Sequence, residues 1–220
     1  MYFKDTSFFY FRHMELHSFE VGPFLENTYL LHKGGQNLLI DPGFSTEPEY
    51  QQFKEKLVGE LTAIVLTHAH VDHVLGLSRV LIDSDVPVYL NDEDRFLWEN
   101  FGSQAQMFGI NQGGFDFEPE VLPSKGDFEI GKFEFNCLYT PGHSPDHISL
   151  YFREEQLVIA GDALFKESIG RTDLYKGDFD TLEKSIKEKL YVLPDETTVY
   201  PGHGPSTTIG HEKNNNPFVQ

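Results

Sequence analysis

Four potential metal ligands crowd into six consecutive positions of this chain: His68, His70, Asp72 and His73, within Thr67-His68-Ala69-His70-Val71-Asp72-His73. His68 and His70, two apart in an extended turn, can project to the same side and grip one cation. Asp72 and His73 are neighbours and more naturally face a second. Neutral imidazole and carboxylate are ligand types that zinc, iron and manganese accept. An isolated His-x-His is as often structural as functional, but four such residues where a buried strand stops form a far more demanding pattern. Three later segments repeat the placement: Thr140-Pro141-Gly142-His143, Ala160-Gly161-Asp162 and Pro201-Gly202-His203-Gly204 each follow an apolar run. The sum is five His and two Asp, enough for two divalent ions with one shared ligand and positions left open for water. Two-metal hydrolases set their ions about 3.5–4 Å apart, a gap that an Asp can bridge, and they lower the pKa of water toward about 7. No Ser or Cys nucleophile is required for such chemistry, and no GxSxG elbow appears.

The elements that must position these residues are short strand-like runs alternating with amphipathic ones. Leu16–Phe19, Tyr29–Leu31 and Leu38–Ile40 read as an antiparallel meander with Gly34-Gly35 at a turn. Thr46–Val58 reads as a helix, with Thr46 as N-cap and Glu49 as its capping-box partner. Ala63–Thr67 is a buried strand feeding the histidine cluster, and Val74, Leu77 and Leu81 then recur on one helix face. Pro87–Leu90 reads as a strand, Asp92–Glu99 as a short helix, and Asn100 to about Pro123 as a long aromatic, glycine-rich loop. Phe133–Tyr139, His147–Phe152, Leu157–Ala160 and Thr198–Tyr200 are further strands, with a helix around Asp180–Leu190. Two groups of strands with helices between them suggest two sheets covered by helices, and the ends of adjacent strands converge on one rim, where α/β sites are built.

Composition narrows the function. The chain has 220 residues, 39% hydrophobic and 24% charged, a globular balance in one large domain or two cramped ones. The formal net charge of −18 disfavours nucleic acid and anionic membranes as partners. One cysteine, Cys137, allows no intrachain disulfide and fits a small core residue. No run reaches the length of a membrane span and the start lacks the order of a signal peptide, so a cytoplasmic location is expected. Residues 1–13 read as an appended, loosely anchored arm, with a single domain over 14–220.

THAHVDH, TPGHS, AGDALF and PGHGP resemble the metallo-β-lactamase superfamily, over nearly the whole chain from Met14 onward. Ser168-Ile169-Gly170-Arg171-Thr172-Asp173-Leu174 and Asn216-Pro217-Phe218 further resemble its short bacterial glyoxalase II-like hydrolases. The resemblance implies an αββα four-layer sandwich, two mixed sheets flanked by helices. It also implies one metal on His68, His70 and His143, a second on Asp72, His73 and His203, and Asp162 bridging them. Zinc is the first choice, with iron or manganese as alternatives. In the β-lactamases proper a Cys ligates the second metal where Asp162 stands here, which argues against lactamase activity. Asp41, in Ile40-Asp41-Pro42-Gly43, resembles the carboxylate that orients a ligand histidine, although a turn-forming Asp before Pro-Gly explains it equally well. His147 is left out of the metal set, and His13, His17, His32 and His211 read as surface residues.

The resemblance implies hydrolysis of a small thioester of the S-2-hydroxyacylglutathione kind by a metal-bound hydroxide, with Asp72 steering and Asp162 bridging, in a monomer or homodimer. Arg171 and Lys176 are the basic residues closest in sequence to Asp162, and with the Tyr175 hydroxyl they could hold a substrate carboxylate. Surface ion pairing, or an Arg171–Asp173 turn, competes with that reading. Only about 17 residues follow His203, so the helical domain that helps longer glyoxalases II bind glutathione has no counterpart in this sequence. Phe101, Met107, Phe108, Phe115 and Phe117 are the candidate pocket wall. The rivals are a mono-iron persulfide dioxygenase of the same fold, a lactonase, and a metal-binding protein without turnover.

Overall fold

The computed structural model describes residues 14–220, so the expectation of a loose arm over 1–13 lies outside the described residues. The first sheet runs β1 (Glu15–Val21), β2 (Glu26–Lys33), β3 (Gln36–Ile40), β4 (Glu60–Val65), β5 (Val88–Asn91), β6 (Glu120–Leu122), in that spatial order. Its first two pairings are antiparallel and its last three parallel. The β2–β3 turn is two residues long, Lys33 pairing with Gln36. Gly34 and Gly35 both take positive φ there, as a tight hairpin of native twist requires. The second sheet is assembled from β7 (Lys125–Ile130), β8 (Phe133–Tyr139), β9 (Ile148–Phe152), β10 (Leu157–Gly161), β13 (Thr198–Pro201) and β14 (Thr207–Thr208). It too is mixed, with β10 and β13 parallel and the rest antiparallel. A small hairpin, β11 (Leu164–Phe165) and β12 (Ser168–Ile169), follows β10.

Alternation along the central strands shows why the layers stack as they do. Leu38, Ile40, Ala63 and Val65 face inward and pack with Phe133, Phe135, Leu150, Phe152 and Ile159 of the second sheet. Their neighbours Leu39, Ile64 and Leu66 point outward into a second core. That core is closed by Tyr50 and Phe53 of α1 (Glu47–Lys56), Val74 of α2 (Val71–Val74), and Leu77 and Val80 of α3 (Leu77–Asp83). Val158, Ala160 and Val199 leave the far face of the second sheet to pack on Leu182 of α6 (Phe179–Ser185), Ile186 and Leu190 of the π-helical turn that continues it, and Ile209 of α7 (Ile209–Asn215). A strand buried on both faces reads as an unbroken apolar run, which is what AIVLT is. The result is the expected αββα sandwich.

The Thr46–Glu49 capping box starts α1 as expected. Two local expectations are corrected. The segment after Asn100 is not loop throughout: it holds α5 (Phe101–Met107), and β6 closes the first sheet. Only Phe101 and Ala105 of α5 are buried, so two core positions carry no readable period. The helix expected over Asp92–Glu99 is confined to α4 (Phe96–Glu99). No helix of the described residues is long and apolar enough to cross a membrane.

Candidate metal centre

Five strand ends meet at one rim of the sandwich. The turn after β3 carries Asp41, the segment after β4 carries His68 to His73, the turn after β8 carries His143, the residue after β10 is Asp162, and the turn after β13 holds His203. Side chains remote in sequence thereby converge. Ligand atoms of His68, His70 and His143 lie within 4.8 Å of one another, as do those of Asp72, His73 and His203, and those of His68, His73 and Asp162. Asp162 sits between the groups: its carboxylate is 3.3 Å from His73 Nε2, 3.4 Å from His143 Nε2 and 3.6 Å from His203 Nε2. All seven ligands expected from the sequence are therefore brought together.

Each ring is aimed by what its other nitrogen touches. The Thr67 hydroxyl donates to Asp41 Oδ2 at 2.7 Å, so its oxygen accepts from His68 Nδ1 at 3.0 Å. His73 Nδ1 donates to Asp41 Oδ2 at 2.9 Å. His143 Nδ1 donates to the Arg171 carbonyl at 2.8 Å, and His203 Nδ1 to the Phe24 carbonyl at 3.1 Å. In all four rings this leaves the Nε2 lone pair facing the shared space, the arrangement a metal-bound imidazole adopts. Asp41 thus touches the ring of His73, and it also fixes Thr67, whose backbone N–H donates to Oδ1 at 2.7 Å.

The electrostatics suit a cation. Burial, helped by neighbouring rings, pushes His68 well below the usual histidine range and His70 down to about 3, so both are neutral lone-pair donors. Burial lowers His143 likewise. Burial also opposes charge on His73, but Asp162, Asp41 and Asp72 outweigh it and raise its pKa. His203 is raised against its burial by Asp72 and Asp162. Those two carboxylates are in turn held low, against their own burial, by the histidines around them. Nε2 of His68, His70 and His73 and Oδ1 of Asp162 are buried without a hydrogen-bond partner. Unpaired buried polar atoms are costly, and those of His68, His73 and Asp162, which lie within 4.8 Å of one another, form with His70 Nδ1, 2.8 Å from His143 Nε2, a donor set that fits a bound metal.

Three contributors escaped sequence reasoning. His147 stays out of the ligand groups as expected, yet its Nε2 accepts the Asp162 backbone N–H at 2.9 Å, and its Nδ1 meets the Thr140 hydroxyl at 2.9 Å. Asp146, buried and thereby pushed up to about 6, accepts from the Ala69 N–H at 2.9 Å and from the Ser144 hydroxyl at 2.7 Å, tying the two histidine turns together. Glu26 lies behind His73, its carboxylate 3.8 Å from Nδ1. The density of polar residues in Thr140-Pro141-Gly142-His143-Ser144-Pro145-Asp146-His147 was a signal for the first two; Glu26 sits in a strand with none.

The cluster opens into a cavity of about 540 Å³, on whose surface lie His70, Asp72, His143, Asp162 and His203. The expected substrate-binding residues divide there. Arg171 and Tyr175 line the cavity; Lys176 does not. Arg171 Nε and Nη2 both donate to the Asp173 carboxylate, at 2.7 and 2.8 Å, and Lys176 Nζ pairs with Asp94 at 2.7 Å. The expected aromatic wall divides as well. Met107 and Phe108 line the cavity, whereas Phe101, Phe115 and Phe117 pack around Trp98 on the first sheet's outer core.

A domain described as Metallo-beta-lactamase superfamily matches residues 21–203. The chain is 41% identical over 204 residues to a Bacillus subtilis protein named probable metallo-hydrolase YqgX, covering 90% of this chain and 94% of that one. It is 37% identical over 215 residues to a Haemophilus influenzae protein named hydroxyacylglutathione hydrolase GloC, covering 94% and 98%. Among solved structures, BLEG-1 B3 metallo-beta-lactamase superposes with a TM-score of 0.86 at 36% identity, over 94% of this chain and 100% of that one. TTHA1623, solved in a di-iron-bound form, gives 0.84 at 38% identity, over 92% and 100%.

Proposed function

Because this chain belongs to the metallo-beta-lactamase superfamily, we propose that it is a metal-dependent hydrolase of a small acyl thioester, of the S-2-hydroxyacylglutathione kind. The observation that carries this reading is the set of lone pairs, unpartnered in the protein, around Asp162 at the floor of a cavity of about 540 Å³. The likeness to a relative named hydroxyacylglutathione hydrolase supports the thioester, and the likeness to a protein solved with two irons supports a pair of divalent ions. His68, His70 and His143 would hold one ion, Asp72, His73 and His203 the other, with Asp162 shared. Zinc suits this nitrogen and carboxylate set, as do iron and manganese. Such ions, when bound, supply Lewis acidity toward a carbonyl and lower the pKa of water.

The chain's own residues do the rest. Asp162 Oδ1, buried and without a protein partner, is placed to accept a hydrogen of the attacking water and so aim its oxygen. Asp72, beside His203 at 3.3 Å, stays ionised and can steer the same water. Asp41 holds the ring of His73, and the carbonyls of Arg171 and Phe24 hold those of His143 and His203. Water adds to the acyl carbon, the carbon–sulfur bond breaks, and the proton released ends on the thiol sulfur. A thiol with a pKa of about 8.5 leaves with little help from an acid.

Element analysis of purified protein, paired with hydrolysis of S-lactoylglutathione, tests the reading. Two metal equivalents and turnover are expected, and Asp162→Ala should abolish turnover and lose one equivalent before the other. Protein loaded with two equivalents that leaves the thioester intact refutes it. The likeness to a B3 metallo-beta-lactamase favours a second reading, so a β-lactam belongs in the same panel. One iron with oxygen uptake on a persulfide would favour the dioxygenase instead.

A further inference from the structure

Helix α5 buries Phe101 and Ala105, and Gln104, three residues after Phe101, stands at the edge of that buried stripe and lines the cavity. Its half-buried amide needs partners and finds two: Nε2 donates to the Ala69 carbonyl at 3.1 Å and to the Leu97 carbonyl at 2.6 Å. Both partners accept, so the nitrogen must face them, and both of its hydrogens are used. Oε1 has no partner among the described residues and is not one of the sealed, unpartnered atoms, which leaves an accepting oxygen at the cavity surface. Ala69 lies between His68 and His70 and is held on both sides, its N–H by Asp146 at 2.9 Å and its carbonyl by Gln104. The oxygen is therefore set in place beside two ligand residues before anything binds. Apart from the ligand residues, the oxygen-bearing side chains on the cavity surface are Gln104, Ser168 and Tyr175. Ser168 belongs to the β11–β12 hairpin and Tyr175 stacks on Phe96 at 4.0 Å, so Gln104 is the one bonded to the turn that carries His68 and His70.

Resting on the thioester reading, we propose that Gln104 Oε1 accepts a hydrogen bond from the 2-hydroxyl of the acyl group and so selects 2-hydroxyacyl thioesters over simple acyl thioesters. The 2-hydroxyl sits on the carbon next to the reacting carbonyl, so a carbonyl at the ligand cluster brings it within reach of the 68–70 turn. A hydroxyl that leaves water needs an acceptor, and the apolar side chains of the same cavity, Phe24, Phe96, Leu97 and Phe108, supply none. An acyl group without the hydroxyl displaces water from Oε1 and returns nothing, which is how a polar contact rejects an analogue. The amide has no hydrogen left to turn toward the cavity, so a 2-oxo group, which can only accept, gains nothing from it either. A hydrogen bond between neutral partners is worth about twofold to tenfold in such a comparison.

The test compares kcat/KM for S-lactoylglutathione and S-propionylglutathione, which share the thiol arm and differ in the 2-hydroxyl, in metal-loaded wild type, Gln104→Leu and Gln104→Lys. The lysine ammonium can still donate to both carbonyls but accepts nothing, so it keeps the tie to Ala69 and removes the accepting oxygen. Its added charge acts on both substrates alike, and the different intrinsic reactivities of the two thioesters cancel between enzymes. The lactoyl-over-propionyl ratio should fall about fivefold in each variant. An unchanged ratio, with both thioesters slowed equally, makes Gln104 only a tie for the histidine turn and overturns the proposal. Turnover of neither thioester by wild type sinks the thioester reading itself, and binding then decides the contact. Titrated calorimetrically into metal-loaded protein, lactate should bind more tightly than propionate, and that advantage should shrink about fivefold in Gln104→Lys. No advantage in wild type, or the same advantage in the variant, overturns the proposal.

Discussion

Replacing Asp41 by Asn probes the centre without touching a ligand. The carboxylate accepts three hydrogen bonds, from Thr67 N at 2.7 Å, Thr67 Oγ1 at 2.7 Å and His73 Nδ1 at 2.9 Å. Asparagine has one acceptor oxygen. If that oxygen faces the Thr67 hydroxyl and His73, the amide NH₂ meets the Thr67 N–H; flipped, it meets the His73 N–H. Either way a buried donor faces a donor, and a hydrogen bond to a charged group, of order 1.5–3 kcal/mol, is lost. Relief of repulsion among the clustered carboxylates offsets part of that, leaving about 1 kcal/mol and a fall in Tm of about 2–4 °C for metal-free protein of this size. The larger effect is on the metal. Loss of the group that orients a ligand histidine typically costs 10–100-fold in affinity, or about 1.4–2.7 kcal/mol. Competition against a chromogenic chelator measures it directly, with thermal unfolding in excess chelator as the companion. Wild-type metal affinity within about threefold, with an unchanged Tm, would refute the argument that Asp41 sets His73.

Other expectations follow from the same geometry. In Gly202→Ala the new Cβ collides with Asp162 Oδ1 and lies 2.8 Å from His73 Cε1, so activity should fall about 100-fold or more, by order-of-magnitude expectation for a displaced catalytic group, with an unchanged far-ultraviolet circular dichroism spectrum; full activity would contradict it. Metal-free protein should be most stable near pH 6.5, about the unfolded histidine value. Above it, the stability that His73 and His203 contribute through raised pKa values is lost as pH climbs through those values; below it, His68, His70, His143 and His147, whose pKa values are lowered, lose theirs as the unfolded chain takes up protons. Metal should lift the alkaline side of that curve, and a Tm series with and without chelator reads both limbs; a metal-free Tm still climbing from pH 6.5 to 8.5 would contradict the assignment. Burial pushes the Cys137 thiol up to about 12, so it should ignore an aromatic disulfide reagent in native protein and react fully once unfolded.

The candidate ligands were legible because each follows a strand whose apolar run marks it as buried, and strand ends in one sheet share a rim. The doubly buried strands Leu38–Ile40 and Ala63–Val65 were legible for the same reason: residues apolar on both faces leave few other folds. What stayed hidden depends on partners far along the chain. Nothing near Lys176 announces Asp94, 82 positions away, so ion pairing could be weighed there but its partner could not be named. Phe101 and Phe115 carry the same aromatic signal as Phe108, and only the position of Trp98 separates core from cavity wall. Helix α5 was missed because two buried positions do not make a period. Asp146 and His147 were half visible, as polar residues crowded after a histidine turn, but the bond of Asp146 to Ala69 follows from the packing of one sheet on the other, and that of His147 to Asp162 from the pairing of β9 with β10.

His68, His70, Asp72 and His73 follow a strand of the first sheet, whereas His143, Asp162 and His203 follow strands of the second. An ion shared among them would straddle the seam and rivet the two halves of the sandwich at their common lip. Its free energy of binding would then count toward holding the halves shut: about 2.7 kcal/mol when free metal stands at one hundred times its dissociation constant. Cellular supply of the ion would thus govern how long each copy of the protein survives, and starvation for metal would be felt first as fraying at this lip.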